Sequence, residues 1–248
     1  SIPYFTTVPY NALPAEATAS NVSALQLYGF LAQVTGGRIS TLSTTPGTKN
    51  PVLINDETLS DLSATISGAA STIPTLAPYA TALGQLYGRA RQATSNDLIL
   101  LPASGKIGQP NPLGTAPFNV NGVSFPLQDG DVLIPSEKTA IANATTAYNN
   151  SIRNIAAARN LAVADMNAIL NQLVTGLRIE DGTVYTANYF SSATASSVLF
   201  SLDGVHPNAK GYAVITNEII KVINRHYNAN IPFVYASSFP GATILQTN

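Results

Sequence analysis

Asp203 stands three residues before His206 in the stretch Leu202-Asp203-Gly204-Val205-His206-Pro207-Asn208-Ala209-Lys210-Gly211-Tyr212, and His206 is one of only two histidines in the chain. A carboxylate at that spacing can accept a hydrogen bond from imidazole Nδ1–H, fix the tautomer and stabilise the imidazolium that forms when Nε2 takes a proton from a nucleophile. Such a pair is the base and the orienter of a hydrolase that attacks a carbonyl through an activated side chain. The structural alternative is an Asp–His hydrogen bond that pins a loop to a helix. As metal ligands the two would need at least one more His or carboxylate, and the other histidine lies twenty residues on, so no metal or cofactor enters the reading.

The elements around the pair say how it is held. Pro207 and Asn208 make a turn and a helix N-cap, and apolar residues at Tyr212, Ile215, Ile219, Val222 and Ile223 recur close to helical period. The pair therefore sits in a loop just ahead of a helix at 208–227. Upstream, Ser136, Glu137 and Lys138 open a helix over 136–159 whose apolar face runs through Ile141, Ala144, Tyr148, Ile152 and Ile155. The apolar segment 161–165 after it reads as a buried strand, and a helix returning to such a strand is a unit of a parallel α/β sheet.

The front of the chain is less regular. Residues 14–35 read as a helix closed by Gly36-Gly37, 51–54 as a short strand, and 80–93 as a helix after Pro78. Asn96-Asp97 leads into a strand at 98–101. The stretch 102–135, rich in Pro and Gly, reads as irregular loop, with Asn121-Gly122 a hairpin turn between 118–120 and 123–125. The expected organisation is one α/β domain over 1–248 with a large loop-rich excursion at 14–135.

Other candidate chemistry has plain explanations. His226 near the end of the last helix suits a capping or surface role, because a cation there favours the helix dipole. Ser104 follows a strand-like run, yet no Gly-x-Ser-x-Gly elbow exists and Ser104-Gly105-Lys106 lacks the leading Gly of a phosphate loop. Asp165, at the end of its segment, is placed to cap the next helix. Three Asn-x-Ser/Thr patterns, at Asn21, Asn143 and Asn149, are what a chain rich in these residues yields by chance.

Composition excludes whole classes. With a net charge of −1 and 10% charged residues, no basic stripe exists to neutralise phosphates, so nucleic acid is not a partner. The absence of Cys removes disulfides, thiol nucleophiles and thiolate metal sites. No apolar run approaches the roughly 20 residues of a membrane-spanning helix. A surface dominated by Ser, Thr, Asn and Gln fits a secreted, periplasmic or envelope protein of bacterial type.

Asp203-Gly204-Val205-His206-Pro207-Asn208, followed by Gly211-Tyr212 and an amphipathic helix, resembles the last block of the SGNH hydrolases, the GDSL-type lipases and esterases. The resemblance implies a flavodoxin-like three-layer fold with a mainly parallel sheet and flanking helices. It also implies a Ser-His-Asp triad in which Asp203 and His206 hold their two places. The family's Gly-Asp-Ser nucleophile block and its Gly-x-Asn-Asp oxyanion block are absent from residues 1–248, Asn96-Asp97 being preceded by Thr94-Ser95. The expectation is thus the C-terminal portion of a carboxylic-ester hydrolase, with its front strands and nucleophile on an N-terminal fragment of the same protein that completes the fold. Its substrate would be a small-molecule ester, a lipid or an acylated carbohydrate. The competing expectation is a non-catalytic binding or structural domain on a degenerate hydrolase scaffold.

Overall fold

A computed structural model of the chain describes residues 7–19, 22–179, 182–185, 198–201 and 206–241. Two compact units divide it, Thr7–Ile141 and a second that takes up the chain from Ala142. In the first, β1 (Thr7–Val8) and β2 (Leu13–Pro14) lead to α1 (Ala15–Ala19) and α2 (Val22–Val34). Then come β3 (Lys49–Asn50), β4 (Leu53–Asn55), α3 (Ser63–Ser71), α4 (Ala80–Tyr87), β5 (Ala90–Gln92), β6 (Leu98–Leu100) and β7 (Val132–Leu133). The strands pair as β1-β6-β7, β2-β3 and β4-β5, each pair antiparallel. Tyr28, Leu31, Leu53, Ile54, Ile66, Leu83, Tyr87, Ile99 and Leu127 are wholly buried and form the centre of one apolar core.

Sequence expectations hold in part here. The helix over 14–35 is present as α1 and α2 and ends at Gly36 and Gly37, both with positive φ, and Asn96-Asp97 does lead into β6. The helix expected over 80–93 stops at Tyr87, because Ala90–Gln92 is drawn off to pair with β4. Helix α3 had no apolar period to announce it; the local signal is Asp61, whose carboxylate accepts from the Ser63 amide at 2.8 Å and its hydroxyl at 2.5 Å. Gly122 takes the positive φ expected of a turn, but no hairpin ladder follows. The amides of Val123, Ser124 and Phe125 all converge on the Val120 carbonyl, which closes a tight turn and leaves 118–120 and 123–125 without a ladder.

The second unit contains most of α5 (Pro135–Ala158), then α6 (Met166–Asn171), β8 (Leu177–Arg178), β9 (Val184–Tyr185) and α7 (Ala209–Tyr227). Strands β8 and β9 pair antiparallel. Leu173, Leu177, Tyr185, Val198, Leu199 and Phe200 pack with Ala213 and Val214 of α7 into a second apolar core. After α7 the chain turns through Asn228, which has φ 52°, and runs back along the helix. There Asn217 exchanges two 2.8 Å hydrogen bonds with the backbone of Val234, and Asn224 exchanges two of 2.9 Å with that of Ile231.

Two expectations for this region are corrected. Residues 161–165 join no ladder: the Leu161 amide donates to Ala156 O at 2.8 Å, closing the end of α5, and the Ala162 amide donates to Tyr227 Oη at 3.1 Å. With those donors engaged, the segment cannot serve as the central strand. The described residues combine helices and strands as an α/β chain, but their paired strands are short and antiparallel instead of a mainly parallel sheet. Helix α5 forms as expected, yet Ile141, Tyr148, Ile152 and Ile155 on its apolar face are each more than half exposed, and among its residues only Ala156 is buried. Its local start is explained by Glu137, whose carboxylate reaches back to the Ile134 amide at 2.8 Å.

Candidate active site

His206 is exposed and lies at a point where the backbone is held firmly. Phe200 and Pro207 form an antiparallel bridge, the Ser201 amide donates to His206 O at 2.7 Å, and the Asn208 amide donates to Leu199 O at 2.9 Å. Residues 199–201 and 206–208 are therefore laced together. Asp203 lies outside the described residues.

Asn208 does most of the holding. Its side-chain oxygen accepts from the Gly211 amide at 2.9 Å as the N-cap of α7, while its Nδ2 donates to Val198 O at 2.7 Å and Phe200 O at 3.1 Å. One amide thus ties the start of the helix to the strand-like run before His206. Gly211 completes the junction by close approach: a Cβ there would stand 2.0 Å from Leu199 O, so only glycine lets the first turn of α7 lie against that backbone. Beneath Pro207 the apolar void between α6 and α7 measures only about 10 Å³, too small for any substrate.

The remaining sequence candidates separate from this centre. His226 sits exposed in the last turn of α7, its Nε2 3.0 Å from Asn160 O and its ring edge-on to Tyr227, an end-of-helix role. Asp165 is the N-cap of α6, accepting from the Ala168 amide at 3.0 Å and pairing with Arg153 at 2.9 Å, contacts that hold its carboxyl below the ordinary range. Ser104 lies on an exposed single turn, Leu101–Gly105, in the first unit. Asp97 is engaged structurally, receiving Arg91 and the Thr94 amide.

Sequence reasoning missed one carboxylate trio. Oxygens of Glu57, Asp129 and Glu137 lie within 4.8 Å of one another, three residues too far apart in sequence to form a motif. Glu57 and Asp129 are exposed and Glu137 already caps α5, so the trio reads as a solvated acidic face. Among the described residues no helix is long and apolar enough to cross a membrane.

A model of the GDSL-like lipase/acylhydrolase family matches residues 58–219, more than half of the chain and a range that takes in the 203–212 stretch. The chain belongs to the GDSL-like lipase/acylhydrolase family. No match is found among curated proteins or among solved structures. For a GDSL-like acylhydrolase the matched range has an informative end, Ile219, which lies within α7, so the match carries through the His206 junction and the helix that anchors it. Membership assigns the chain to ester-hydrolysing proteins and an α/β class of fold.

Proposed function

We propose that these residues are part of a carboxylic-ester hydrolase in which His206 is the general base and Asp203 orients it. Acyl transfer would begin with His206 Nε2 removing the proton of a serine hydroxyl as that oxygen attacks the ester carbonyl. The imidazolium, stabilised by Asp203, then returns the proton to the departing alcohol. Water, deprotonated by the same imidazole, releases the acid from the acyl-enzyme. The serine and the oxyanion donors are assigned to sequence outside residues 1–248, because the family's Gly-Asp-Ser and Gly-x-Asn-Asp blocks do not occur within them.

The observation that carries the reading is the family match running through a site where His206 is exposed and its backbone is clamped on both sides. The exposed apolar stripe of α5 supports a further element: strands from additional sequence, completing a mainly parallel sheet against that helix.

The test is hydrolysis of a short-chain ester by the full gene product carrying these residues. His206→Ala and Asp203→Ala should each remove nearly all turnover with little change in KM, whereas His226→Ala should leave the rate within about twofold. Full activity in His206→Ala would end the proposal.

A further inference from the structure

The segment after α7 is tied to that helix at Ile231, Val234 and Pro240, which meet Asn224, Asn217 and Lys210 in turn. Asn224 and Asn217 stand seven residues apart, about 10.5 Å along a helix, a distance that three extended residues also span. Seven residues further on, the Lys210 amide donates to Pro240 O at 3.2 Å, and the single turn Ala236–Ser238 takes up the longer stretch of chain between Val234 and Pro240. The segment thus runs antiparallel to α7 and meets it last at the end that carries His206. Burial does not explain this course. Tyr235 is 81% exposed and Phe233 44%, and within 231–240 only Ala236 is buried, packed in the second core with Leu199 and Phe200.

The last rung acts on the start of α7. Lys210 holds the second helical position, and the amides of a first turn have no partner within their own helix. Asn208 satisfies the amide of Gly211, and Pro240 that of Lys210. The same Asn208 side chain bonds Val198 O and Phe200 O, and the Ser201 amide bonds His206 O. The end of the returning segment, the first turn of α7 and the His206 backbone are therefore links in one run of hydrogen bonds. We propose that residues 231–240 are a strap that positions His206, with Pro240 as the positioning residue, acting through Lys210 and the capped first turn. The consequence for catalysis rests on His206 being the general base; the mechanical tie does not.

The test is amide hydrogen exchange together with steady-state kinetics on the full gene product carrying these residues. Lys210→Pro deletes the donor that Pro240 meets, at a first-turn position where proline is tolerated. Asn217→Ala, the second variant should the first fail to fold, releases the middle of the strap instead. In each, exchange of the Ser201 amide, which bonds His206 O, should speed up about fivefold or more, the worth of one hydrogen bond. Lys210→Ala keeps its amide, and its Ser201 exchange should match the parent. Turnover of a short-chain ester, counted per acyl-enzyme burst so that unfolded molecules drop out, should fall about tenfold in the two strap variants, with KM within about twofold. Asn217→Asp, which keeps the acceptor for the Val234 amide, should recover part of both losses. Parental Ser201 exchange in both strap variants, or faster exchange with turnover per burst unchanged, would overturn the proposal. A parent that hydrolyses no ester ends the general-base reading, and Ser201 exchange alone then decides whether the strap holds His206.

Discussion

Arg91 grips Asp97 with two parallel contacts, Nη1 to Oδ2 at 2.7 Å and Nη2 to Oδ1 at 2.6 Å, while its Nε reaches Asp56 Oδ2 at 2.6 Å. Both carboxylates are buried. One guanidinium thereby neutralises two acids and ties β5 to the turn before β6. Replacing it with Met leaves two buried negative charges facing each other, and urea unfolding should show a loss of about 3–5 kcal/mol. Adding Asp56→Asn and Asp97→Asn to that variant should recover part of the loss.

The same cluster sets an acid limit. Burial opposes the charged form of Asp56 and Asp97, but Arg91, with Thr58 on Asp56 and Thr94 on Asp97, outweighs it and holds both below the ordinary carboxylate range. A depressed folded-state value means that the unfolded chain binds protons first as the pH falls. The stabilisation is therefore full above the ordinary Asp value of about 4 and is lost as the pH falls below it. Melting midpoints between pH 7 and pH 2 should fall at the acid end, and less steeply in Asp97→Asn.

Tyr28 is wholly buried and, among the described residues, its hydroxyl is the one buried side-chain polar atom without a hydrogen-bond partner. Tyr28→Phe removes a desolvated group that gains nothing in return, so it should stabilise the fold by about 1 kcal/mol in chemical unfolding. Tyr87→Phe should do the opposite by a similar amount, because the Tyr87 hydroxyl donates to Ser124 O.

At the candidate active site, Gly211→Ala forces a methyl group against Leu199 O and should cost about 3 kcal/mol or more, since backbone on both sides must move. Asn208→Ala, which loses the cap and both carbonyl contacts, should cost about 2 kcal/mol. Either change displaces the backbone that carries His206, so esterase activity of the full gene product should fall further than stability alone accounts for.

The sequence was most readable where one local signal fixed the structure. Asn208 as cap with its apolar period gave α7, and Ser136-Glu137 gave α5, because caps and helical period are written in neighbouring residues. It misled at 161–165, where apolar composition fits a strand but the amides of Leu161 and Ala162 go to a helix end and a tyrosine 65 residues away from Ala162. The Arg91 cluster was invisible for the same reason: Asp56 and Arg91 are 35 residues apart and meet only through β4 and β5. His206 stood out because histidine is scarce here, while the clamp around it depends on contacts to backbone carbonyls that residue types do not reveal.

The two asparagines that hold the segment after α7 act only on its main chain. Asn217 and Asn224, two turns apart on the helix, each present an amide that copies a peptide group, and neither touches a side chain of 231–234 through those bonds. Evolutionary drift along that segment is thus nearly unconstrained by docking: Ile231 and Val234 can change identity freely so long as each keeps an N–H. Proline is forbidden at both and tolerated between them, which is where Pro232 already stands. The mutational record of relatives should carry that imprint, with variable residues at 231–234, no proline at the two rungs, and asparagine fixed on the helix facing them.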